Sequence, residues 1–115
     1  MLADTTAAAS AATAHAHAAL ARRHPDRFTD LLWYGAVELD PTHLVVWVLL
    51  AGPPEQIPEW RLTTAEDDSE PDVHAMRRLV VEEFERVGWP SASSLRVGFE
   101  SAERVAAGGG RHYFR

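Results

Sequence analysis

Residues Leu44 to Ala51 read Leu-Val-Val-Trp-Val-Leu-Leu-Ala, apolar at every position. No other stretch constrains the chain as strongly. A half-buried strand alternates apolar with polar side chains, whereas a run apolar on both faces must be covered on both sides or paired on both edges. It is therefore expected to be the central strand of a sheet. Asp40-Pro41-Thr42-His43, just before it, has the chemistry of a type I turn, with proline pre-setting the second position. Upstream of the turn, Leu31 to Leu39 reads as a first strand. Leu31, Trp33, Val37 and Leu39 fall on one face and Tyr34 and Glu38 on the other. The short turn makes the two strands an antiparallel hairpin.

The flanking segments supply the other elements. Thr5 to Arg23 is rich in alanine, which loses no side-chain entropy in a helix, and Pro25 stops it. With little apolar surface beyond Leu20, its first half is expected to fray. Gly52 to Pro58 is a proline-rich loop, and Glu59 to Thr63 a short strand with Trp60 and Leu62 opposite Glu59 and Arg61. Ser69 and Asp72 form a capping box, with Pro71 in the first turn of a second helix. Val73, Met76, Leu79, Val80, Phe84 and Val87 give that helix one apolar stripe. Gly88 and Pro90 end it. Leu95 to Phe99 is a further strand, Ser101 to Arg104 opens a short helix, Gly108 to Gly110 stops it, and Arg111 to Arg115 forms a last strand. The order is α-β-β-β-α-β-α-β. This is one α+β domain with a mixed, mostly antiparallel sheet of about five strands and helices on one face. Residues 1–24 are an appended helix and residues 25–115 the core domain.

Composition removes several functions. The chain has no cysteine, so disulfides, thiolate catalysis and Cys-based zinc sites are excluded. It has no lysine, hence no Schiff-base or P-loop residue. Abundant alanine, arginine as the sole long cation and a single isoleucine match the codon bias of a high-GC bacterial genome. The formal charge of −6 disfavours nucleic acid and anionic membranes as partners. The start of the chain lacks a basic region ahead of its alanines, and its longest apolar run is far below the ~20 residues of a membrane helix. A cytoplasmic protein is expected.

Each candidate for chemistry has a plainer alternative. His15 and His17 stand two apart on a helix, pointing about 200° apart, so they cannot share an ion. No metal site and no cofactor are expected. Glu38, Glu55, Glu59 and Glu100 flank strands, where charge ordinarily keeps a sheet soluble rather than forming a catalytic pair. Ser101 follows a strand and opens a helix, and its ordinary role there is capping. Gly108-Gly109-Gly110-Arg111 is the most suggestive segment. Successive glycine N–H groups can converge on an anion, Arg111 can pair a phosphate, and His112 and Tyr113 can add hydrogen bonds. Against this, the glycines follow a helix, whereas phosphate loops precede one. Trp33 and Trp47 are expected in the core, and Trp60 and Trp89, near loops and prolines, at an interface.

With no nucleophile, metal spacing or cofactor fingerprint, the sequence points to a non-enzymatic binding or accessory protein. Its acidity suits a basic partner such as a toxin, and self-association through the last strand as a homodimer is a further expectation. The alternative is a protein that binds a small phosphate ligand, such as a nucleotide, at Gly108–Gly110 and Arg111.

Overall fold

The computed structural model describes residues 4–57, 61–63, 71–110 and 113. The elements run α1 (Thr5–Arg23), β1 (Phe28–Tyr34), β2 (Val45–Leu50), β3 (Arg61–Thr63), α2 (Pro71–Arg86), β4 (Arg96–Ser101) and α3 (Ala102–Ala107). The chain is a small mixed α+β domain. Three full strands make most of the sheet, with the three-residue β3 at one edge, in the order β1-β2-β4-β3. The all-apolar β2 is internal, antiparallel to β1 and parallel to β4. β3 runs antiparallel to β4. Of the expected last strand, only Tyr113 lies within the described residues, and it sits in a helical turn.

The first strand is displaced from its expected place. It begins at Phe28 and stops at Tyr34, and Gly35 to Asp40 form a turn. Gly35 holds φ at +127°, a region essentially reserved for glycine, so the extended pattern cannot continue through it. Leu39, expected on the inner face, is 84% exposed. Val37 is buried, but from the turn rather than from a strand.

Alternation along β2 and β4 divides the interior in two. Val46, Val48 and Leu50 of β2, with Val97 and Phe99 of β4 and Leu31 of β1, face α1 and α2. Leu32 and Leu49 face the other way, against Val105 of α3. Helices therefore cover both faces, not the single face expected. A strand apolar on both sides demands a cover on each.

The α2 stripe is as the periodicity requires, with Val73, Met76, Leu79, Val80 and Phe84 buried and Val87 packed against them. The α1 contact is different. Ala9, Ala12 and Ala16 are fully buried together with Leu20, and α1 lies against α2 and β1 along its length. Asp4 caps its first turn by accepting from the Ala7 N–H at 3.0 Å. The helix itself was readable from its alanines, but looking for large apolar side chains missed its packing, because alanines let the backbones approach closely and need little bulk to fill the gap.

The turn before β2 is fastened by Asp40. Its carboxylate accepts from the Thr42 N–H at 2.9 Å and the Thr42 hydroxyl at 2.8 Å. The backbone bond chiefly, then the hydroxyl, with the His43 charge assisting, hold its pKa below the ordinary 3.8. A depressed carboxyl stabilises the fold above its unfolded pKa, and that contribution is lost as pH falls through the folded one. NMR titration of Thr42→Val should raise the Asp40 midpoint while leaving it below 3.8, because the backbone donor remains. An unmoved midpoint would show that the hydroxyl has no part in it.

Candidate functional site

Of the residues singled out by sequence, Gly108, Gly109, Gly110, Tyr113 and Trp89 lie within the described part of the chain. The Gly108 N–H donates to the Arg104 carbonyl at 3.0 Å and the Gly109 N–H to the Ala106 carbonyl at 3.4 Å. These donors close the end of α3 rather than turning outward to an anion. Tyr113 folds inward. A Cβ at Gly108 would lie 3.0 Å from its Cε1, and its hydroxyl donates to Glu100 Oε2 at 3.0 Å. A carboxylate beneath the glycine turn is a poor neighbour for phosphate. Arg111 and His112 lie outside the described residues, as does Trp60. Trp89 is only 5% exposed, its ring edge-on to Phe84 at 5.4 Å, so it belongs to the core.

Glu100 is the residue whose surroundings differ most from expectation. It was grouped with charges that keep strand edges soluble, yet it is fully buried on the face covered by α3. The edge position it would need is taken by β3, which places β4 inside the sheet. Its Oε1 accepts from the Ser101 N–H at 2.8 Å and from the Arg104 guanidinium. Arg104 also reaches the Pro54 carbonyl. Ser101 caps α3, accepting from the Arg104 N–H at 3.2 Å. The group is a clamp joining β4, α3, the Pro54 loop and Tyr113. The i,i+4 spacing of Glu100 and Arg104 was legible in sequence; the burial was not.

The open site lies at the other edge of the sheet. Among the described residues no strand pairs with the outer edge of β1. Beside that edge runs a groove of about 410 Å³ lined by Ser10, Thr13, Ala14, His17, Leu31, Leu32 and Trp33. Its α1 members stand at i, i+3, i+4 and i+7, one helical face of three small residues and His17. Successive strand residues point to opposite faces. Three consecutive ones can line one groove only if it opens along the strand's edge, where backbone N–H and C=O groups emerge. The Thr13 Oγ1 is buried there with no hydrogen-bond partner. Trp33, expected in the core, is only half-buried and forms part of this wall. His17 closes one end, edge-on to Phe28 at 4.9 Å and 3.6 Å from Asp30 Oδ1. His15, by contrast, faces Glu83 of α2 at 3.9 Å.

The first half of the edge is guarded. A bulge separates Phe28 from Asp30, and Asp30 turns back to accept from the Leu31 N–H at 2.8 Å. Bulges and charges are the usual protection against promiscuous strand pairing. From Leu31 to Tyr34 the register is regular. Sequence reasoning placed self-pairing at the last strand, residues 111–115, of which only Tyr113 is described. Period-two alternation shows that a segment is a strand, but only long-range pairing decides which strand ends at an edge.

No helix among the described residues is long and apolar enough to cross a membrane. Comparison with protein-family models, curated proteins and solved structures finds no match to this chain. Fold and site together define a small α+β domain with one guarded sheet edge beside an open groove.

Proposed function

We propose that this is a non-enzymatic protein-binding domain that takes an extended segment of a partner along the edge of β1. The observation that carries this reading is the groove shared by Leu31, Leu32 and Trp33. There, main-chain groups can extend the sheet while alternate side chains of the guest enter beneath α1. In strand addition of this kind, backbone hydrogen bonds provide affinity and side-chain pockets provide selectivity. Trp33 supplies a large, partly exposed anchor, and tryptophan is enriched among residues that dominate binding energy. The acidic net charge of −6 favours encounter with a basic partner.

Selection of random peptides displayed on phage, with the purified protein immobilised, tests this reading. Selected peptides should lose affinity for Trp33→Ala by at least about tenfold, roughly 1.4 kcal/mol. In the bound state the outward-facing amides among residues 31–34 should exchange more slowly. Equal binding by Trp33→Ala, with exchange protection elsewhere, would remove β1 as the docking edge.

A further inference from the structure

We propose that the segment taken up along β1 carries two basic residues, four or six positions apart, with an apolar residue between them. This rests on the docking edge proposed above and names what it recognises.

The inference begins with the direction of α1. His17, late in the helix, meets Asp30 near the start of β1. Thr6, in its first turn, donates its hydroxyl to Glu38 Oε1 at 2.8 Å, beyond the end of β1. The helix thus runs antiparallel to the strand, and a carboxylate stands at each end of the groove. Both carboxylates reach solvent, Asp30 with a half-exposed side chain and Glu38 exposed.

Between these ends the lining holds no formal charge. Ser10, Thr13, Ala14, Leu31, Leu32 and Trp33 are small, hydroxylic or apolar. The arginines of α1 nearest His17 are Arg22 and Arg23, in its last turn and more than one turn further on. The groove therefore offers negative charge, then an apolar and hydroxyl-bearing middle, then negative charge again.

Helix geometry sets the spacing. His17 stands eleven positions after Thr6. At ~1.5 Å per residue they span about 16 Å. An extended guest rises ~3.3 Å per residue and covers that distance in about five residues. Residues sharing one face of a strand are an even number apart, so the two cations stand four or six apart. The residue midway between them then faces Trp33 and Leu31 if the spacing is four. Arginine suits the outer positions, because its planar fork matches a carboxylate.

A second copy of the chain fits less well. β1 reads Phe-Thr-Asp-Leu-Leu-Trp-Tyr, with one acidic residue and no arginine. Pairing two such edges brings no cation to either carboxylate, and each chain already carries a charge of −6. A basic guest relieves the charge that a copy would double.

Three labelled nonapeptides test the pattern by fluorescence anisotropy. One has Arg at positions 3 and 7, Leu at 5, and Thr or Val elsewhere. The second has Glu at 3 and 7. The third has its arginines side by side at 3 and 4. The spaced-arginine peptide should bind at least tenfold more tightly than either control. Asp30→Asn and Glu38→Gln should each weaken it severalfold, and the double variant more. Equal binding of all three peptides, still sensitive to Trp33→Ala, would overturn the charge pattern while leaving the docking edge in place. Binding of the spaced-arginine peptide that is insensitive to Trp33→Ala would overturn both. A dimer in sedimentation at high micromolar concentration, lost in Trp33→Ala, would overturn the basic guest in favour of a second copy.

Discussion

Arg104→Ala should be among the most destabilising single changes in this chain, although Arg104 belongs to a six-residue helix at the sheet's less covered face. The reason is Glu100. Its side chain is fully buried, and the Arg104 guanidinium is its ion-pair partner. Removing the cation takes the ion-pair partner from a buried carboxylate that also accepts from the Ser101 N–H and the Tyr113 hydroxyl. Breaking a buried pair from one side costs about 3 kcal/mol or more. For a domain of this size, that lowers the melting temperature by about 12 °C. Arg104 also holds the Pro54 carbonyl, so the loop after β2 should loosen in the same variant. The charge explanation has its own control. Glu100→Gln combined with Arg104→Met removes both charges and should cost less than Arg104→Ala alone. Calorimetry that finds Arg104→Ala within about 3 °C of wild type would show that the clamp carries little of the stability.

Gly35→Ala should have a comparable effect through sterics alone. Gly35 and Gly52 hold nearly the same backbone angle, φ of +127° and +120°. Their surroundings differ. A Cβ at Gly35 would overlap the His43 carbonyl oxygen and stand 2.7 Å from its carbon, whereas one at Gly52 meets nothing within 4 Å. Both substitutions incur backbone strain of about 1–3 kcal/mol. Only Gly35→Ala also forces apart two backbone segments that lead into β2, for a total of about 4 kcal/mol. Urea unfolding of the two variants separates the effects. Equal midpoints would mean that the 35–43 turn yields without cost.

What sequence alone made legible follows from the range of each interaction. The α2 stripe, the Ser101 cap and the buried β2 were readable, because a few neighbouring residues settle each of them. The extent of β1 was misjudged because Leu39 continues the alternation, while only the Gly35 angle and its contact with the His43 backbone end the strand. The docking of α1 escaped notice because alanine has no large side chain to announce a core contact. The candidate site was almost invisible. Leu31, Leu32 and Trp33 resemble core residues, and they line an open edge only because β4 pairs with β2 on the far side. Nothing near β1 in the chain encodes that pairing. In the glycine segment, the N–H groups of Gly108 and Gly109 are bonded to carbonyls of α3, a closure that composition alone does not reveal.

The parallel pairing of β2 with β4 also sets the order in which the chain can fold. β1 and β2 meet across a short stretch of chain, but Val45 must wait for Arg96, 51 positions later. β3 and α2 are both made in the interval. Such long-range closures are slow, because chain entropy is lost before any contact repays it. Until β4 arrives, β2 presents an unpaired edge of six apolar residues, the surface most prone to pairing with a neighbouring chain. The native fold thus conceals its stickiest edge and leaves the guarded one outside. During synthesis the situation is reversed, and the arrival of β4 ends the period of greatest exposure.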